Sequence, residues 1–191
     1  MRFKLKILIA AFCALAGTAQ AATQQSTKAN LMLVPAQKVI ANLQQVINDT
    51  KAKARIPVLF PAQVPVDQIN QKYYASATVG AEGNNYVISI GKTADCNGQK
   101  YCNVANISGA LGERPQIYSA MRGPDLTEPM ELTNDNRGYF TPAHAEGDFW
   151  PTMIEWRMDN ILYRIAWTLD SKNEMQMIVA LANSAVQAGK R

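Results

Sequence analysis

With one histidine and three cysteines among 191 residues, this chain has few ways to assemble a reactive centre. A catalytic zinc normally draws two or three nitrogen or sulfur ligands from its protein, and a lone imidazole falls short of that. Nor is there a G-x-S-x-G elbow or a glycine-rich phosphate loop, so the local signatures of an α/β-hydrolase nucleophile and of nucleotide binding are both missing. No cofactor and no metal is expected, and no catalytic residue is nominated. Paired carboxylates stay open because almost any chain supplies them; Glu146, Asp148 and Glu155 are the nearest set.

Long apolar runs are also lacking. The only sustained one, Ile7 to Gly17, is short of the ~18 residues that a spanning helix needs. It follows Arg2, Lys4 and Lys6 and closes on Ala19-Gln20-Ala21. A basic start, a short apolar stretch and a small-x-small site read as a secretory signal peptide over residues 1–21. The expected location is therefore periplasmic or secreted, with no membrane span after signal removal. Phe12 stands where a lipoprotein signal has a small residue before its cysteine, so Cys13 reads as part of the leader and export as soluble.

The leader also accounts for the apparent basicity. Lys+Arg falls from 19 to 16 once Arg2, Lys4 and Lys6 are removed, against 15 Asp+Glu, so the net charge drops from +4 to about +1. A nearly neutral chain offers no electrostatic footprint for nucleic acid. Of the thiols, Cys96 and Cys102 remain, and in an oxidising compartment they are expected to close a short structural disulfide loop.

Residues 22–34 are polar and small and read as a mobile leader before a single domain over 35–189. Pro35, followed by Val39, Ile40, Leu43, Val46 and Ile47 at helical spacing, predicts one helix over about 35–53. Its other face, Lys38, Asn42, Gln44, Gln45 and Asp49, reads as solvated. Ile56 to Pro61 is apolar but bracketed by prolines, hence an edge strand or an extended connector.

Residues 73–79 and 86–90 flank a Gly/Asn turn and predict a hairpin, and Val104 to Leu111 predicts a third strand beyond the cysteine loop. The stretch from Gly112 to Pro129 is rich in breakers, and a loop that long is either functional or mobile. Met130 to Leu132 and Gly138 to Thr141 predict two short strands.

The sharpest local expectation is a hairpin about Asp159-Asn160, residues that tolerate the positive φ of a type I′ turn. That turn pairs Met158 with Ile161, Trp156 with Tyr163, Glu155 with Arg164, and Ile154 with Ile165. The aromatic pair then faces inward and the charged pair outward. Ser171 and Glu174 have capping-box spacing ahead of an amphipathic helix that runs to Gly189. The fold class is α+β: an antiparallel sheet of five to seven strands with an N-terminal and a C-terminal helix packed on one face.

The candidate site lies between Pro142 and Pro151. If that segment is extended, His144, Glu146 and Asp148 point one way. Phe149 and Trp150 precede the hairpin and form the expected exposed aromatic pair. The binding candidates are thus His144, Glu146, Asp148, Phe149 and Trp150.

In Glu131-Leu132, Gly138-Tyr139-Phe140, Ile154-Glu155-Trp156, Tyr163-Arg164-Ile165 and the helix through Leu181-Ala182-Asn183-Ser184-Ala185, the chain resembles uncharacterised bacterial secreted proteins. The likeness covers about residues 127–188, and its motifs are structural, so it implies a similar domain end and carries over no site residue. The expected function is a non-catalytic binding or accessory module outside the cytoplasm, its partner an unknown protein or an envelope polymer. A hydrolase of an envelope component and an inhibitor of a secreted enzyme are the alternatives.

Overall fold

One antiparallel sheet of seven strands gives its two faces to different uses. The computed structural model describes residues 31–66, 70–118, 126–146, 148–169 and 172–189. The expected signal peptide, most of the expected leader and Ser171 lie outside them. In chain order the elements are β1 (Met32–Pro35), α1 (Ala36–Val39), α2 (Leu43–Lys53), β2 (Gln63–Val66), β3 (Tyr74–Val79), β4 (Asn85–Gly91) and β5 (Asn103–Leu111). There follow β6 (Glu128–Glu131), β7 (Arg137–Thr141), β8 (His144–Glu146), β9 (Asp148–Trp150), β10 (Thr152–Met158), β11 (Ile161–Trp167) and α3 (Glu174–Ala188). The main sheet has the order β3-β4-β5-β11-β10-β7-β6, while β1-β2 and β8-β9 form two small sheets.

Alternation along the strands puts Ile88, Ile107, Ile165, Ile154 and Phe140 in one row across five strands. Leu43 and Ile47 of α2 and Ile178, Leu181, Ala182 and Ala185 of α3 join that row in one buried cluster. Both longer helices therefore cover the same face, as expected for the α+β class. The next row reads Tyr86, Gly109, Tyr163, Trp156 and Gly138. A Cβ on Gly109 would stand 2.6 Å from the Tyr86 ring, so the absent side chain makes room for the aromatic one beside it. Trp156 and Tyr163 stack at 5.8 Å. The expected hairpin register holds at all four pairs, with Asp159 and Asn160 at positive φ.

Four expectations are corrected. Met32–Val34 belong to β1 and pair with β2, so ordered structure begins before Pro35. The single helix over 35–53 is two, broken where Ile40 turns extended and bridges Tyr73 in parallel. Asn42, read as solvated, instead accepts from the Ala75 amide and donates to the Ala75 carbonyl, both at 2.8 Å. Pairing with the exposed edge of β3 outweighs continuing the helix, because an edge strand's amide groups need partners. At the other end α3 starts at Glu174 with Asn173 at its cap and no side-chain capping bond; Glu174 accepts from the Thr152 hydroxyl at 2.7 Å instead.

The proline-bracketed stretch Ile56 to Pro61 is an extended connector, buried at Ile56, Val58, Leu59 and Phe60. Core tyrosines hold it: the Tyr86 hydroxyl accepts from the Leu59 amide at 3.0 Å, and the Tyr163 hydroxyl donates to the Pro57 carbonyl at 3.3 Å. Asn183 and Ser184 anchor α3 in the same way, accepting from the Thr133 amide and from the amides of Ala62 and Gln63. The Cys96–Cys102 disulfide closes the connection between β4 and β5, with Cα atoms 5.7 Å apart.

Candidate binding groove on the open sheet face

The order of strands dictates where a groove can form. After β5 the chain reaches β6 four strand positions away, across the places that β11 and β10 will take. At about 4.8 Å per strand that is a crossing of about 19 Å. The helices occupy one face, which leaves the other open. The described part of this strap, residues 112–118, runs over that open face.

Glu155 of β10 anchors it. Its Oε2 accepts from the Gln116 amide at 2.7 Å, and its Oε1 accepts from Arg164 Nε at 2.6 Å. The outward charged pair expected of the hairpin is therefore outward only in topology, since Glu155 is 1% exposed beneath the strap. A buried carboxylate persists because a cation and an amide donor satisfy it. Farther along, the Tyr118 amide donates to Thr127 Oγ1, which lies 3.0 Å from Thr141 Oγ1.

The second wall is the small β8-β9 sheet, in which His144 pairs with Trp150 and Glu146 with Asp148. The segment is therefore not one continuous extended run but two short strands paired in register. His144 and Trp150 stack with centroids 6.0 Å apart and planes 5° from parallel. Tyr118 leans on both, 6.4 Å from His144 and 6.1 Å from Trp150. His144 Nδ1 lies 3.0 Å from the Pro142 carbonyl, which can only accept, so Nδ1 carries the hydrogen.

Between these walls lies a cavity of about 290 Å³. Asn106, Ser108, Arg164, Ala166 and Met153 of the open face form its floor, with Thr141 and Pro151 at the side. Burial raises the Tyr118 phenol above its ordinary value, with the Arg164 guanidinium opposing and Glu155 adding to the rise. The result is an aromatic wall over a floor of hydroxyl, amide and guanidinium groups, an arrangement suited to holding a ring with polar substituents.

Of the residues nominated from sequence, the structure brings His144 and Trp150 together at the groove, Trp150 being 44% exposed. The side chains of Glu146, Asp148 and Phe149 lie outside what is described. Sequence reasoning missed Tyr118 and the whole floor. The length of the Gly112 to Pro129 loop was a signal that it mattered, but nothing local tells which of its residues faces the sheet. No family model, curated protein or solved structure matches this chain.

Proposed function

We propose that this chain is an exported, non-catalytic binding module that holds a sugar ring of an envelope polymer in the groove between the aromatic wall of Tyr118, His144 and Trp150 and the polar floor of the open sheet face. The observation that carries the reading is the convergence of the 112–118 strap and the β8-β9 sheet on one concavity walled by three rings. An indole face offers apolar area to the C–H face of a pyranose, and Asn106, Ser108, Thr141 and Arg164 offer hydrogen bonds to its hydroxyls. The cavity is at the small end for ligand sites, the size of one ring and not of an extended chain. The export signal read from the sequence and the Cys96–Cys102 disulfide support a location outside the cytoplasm.

Trp156 and Trp167 are buried and Trp150 is not, so intrinsic fluorescence has one solvent-sensitive reporter at the groove. Titration with soluble oligosaccharides from digested peptidoglycan is expected to shift the emission, and Trp150→Ala or Tyr118→Ala to abolish binding measured by calorimetry. Full binding by both variants, or no binding by the parent chain, removes the reading.

A further inference from the structure

A second concavity on the open face is lined by arginines. Arg114 of the strap, Arg137 at the start of β7 and Arg157 in β10 line a cavity of about 410 Å³ with Pro115, Ile117 and Tyr139. The strands explain the meeting: the β10-β7 ladder ends at Trp156 and Gly138, and Arg157 and Arg137 are the next residues just beyond that last pair. Like charges brought to one end of a strand pair repel, and the strap adds a third.

No described carboxylate forms an ion pair with any of the three. Glu155 is taken by Arg164 and the Gln116 amide. Glu131 is the register partner of Arg137 on its other side but makes no ion pair with it, and it lines the neighbouring hollow with Asp135 and Arg137 itself. The Arg137 guanidinium lies over the Tyr139 ring at 5.7 Å, which orients it while leaving its N–H edge available. Arg157 is braced by a hydrogen bond to Asn160. The clustering is local, since beyond residue 21 the chain has 16 basic residues against 15 acidic ones.

We propose that Arg114, Arg137 and Arg157 form an anion site for a multivalent oxyanion, a ligand carrying clustered phosphate or carboxylate groups with an apolar portion against Pro115 and Ile117. Planar guanidinium forks match both oxyanions in paired hydrogen bonds, and three of them favour a ligand with more than one charge. The site stands independently of the aromatic groove, because it shares none of that groove's lining residues.

The test is isothermal calorimetry on the full folded chain with two probes, inorganic pyrophosphate and citrate. One-to-one binding is expected, weakening as salt rises. Each of Arg114→Gln, Arg137→Gln and Arg157→Gln should weaken it by about tenfold, the loss of one charge-assisted contact. All three side chains are exposed, so unfolding is not the expected cause, and an unchanged thermal midpoint checks this. Lys38→Gln/Lys51→Gln/Lys53→Gln, on the helices, should bind as the parent does. Tighter pyrophosphate assigns the site to phosphate groups and tighter citrate to carboxylates; either supports it. No saturable binding of either probe, equal binding by the triple arginine variant, or equal loss in the lysine variant overturns it. Retained binding in Trp150→Ala separates this outcome from that of the sugar groove.

Discussion

Glu155 and Arg164 face each other across the β10-β11 hairpin at 2.5 Å, one 1% and the other 31% exposed. The same carboxylate takes the Gln116 amide, so one side chain ties the long crossing to the sheet and sets the height of the groove's Tyr118 wall. The pair thus joins register, which placed the two residues opposite, to topology, which brought the strap over them.

Removing the carboxylate should expose that dependence. Glu155→Ala leaves a partly buried guanidinium and a backbone amide without their acceptor, and is expected to cost about 3 kcal/mol, the low end for breaking a buried pair. Urea unfolding measures it, and faster proteolysis within residues 112–118 should accompany the loss. A cost under about 1 kcal/mol, typical of an exposed pair, would show that the strap is held otherwise.

Gly109→Ala tests the aromatic row. At an ordinary strand position alanine is expected to gain roughly 0.5–1 kcal/mol over glycine. Here the new Cβ meets the Tyr86 ring, so a loss of about 1–3 kcal/mol is expected from overpacking. Combining it with Tyr86→Leu should give less than the sum of the separate costs, because the two changes share one space. Strict additivity in denaturant melts would contradict the contact.

The indole nitrogen of Trp156 is buried without a hydrogen-bond partner. An unpaired buried donor costs about 1–3 kcal/mol, which offsets part of what the large ring gains by burial. Trp156→Phe removes that donor and is expected to cost less than about 1.5 kcal/mol, against about 3–5 kcal/mol for Trp156→Ala. Equal losses for the two would mean that the N–H is satisfied.

Alkaline pH should unfold the protein through its core tyrosines. Burial pushes the Tyr163 phenol up to about 12, with Asp159 adding to the rise, and raises Tyr86 as well. An unfolded tyrosine releases its proton near pH 10, so between about pH 10 and 12 the unfolded chain binds fewer protons than the folded one. The stabilisation is complete below pH 10 and is lost as pH rises through that window. Tyr163→Phe should flatten the decline in thermal midpoint measured from pH 9 to 12; an unaltered slope would place the titration elsewhere.

Local signals decided much of this protein. The Asp159-Asn160 turn, the register of Trp156 with Tyr163, the cysteine loop, the strands on either side of it and the closing helix were all legible. Each depends on residues a few positions apart, where alternation, turn preference and cross-strand pairing act directly. Tertiary structure decided the rest. That Asn42 serves the edge of β3 and interrupts a helix depends on a strand more than thirty residues away. That Glu155 is buried, Tyr118 a wall and Ser108 a floor follows from β11 lying between β5 and β10, with residues 112–118 laid over the open face. A hydrophobic pattern marks which side of a strand meets the core, but strand order is a choice among nonlocal pairings that no neighbouring residue encodes. The groove is made by that choice.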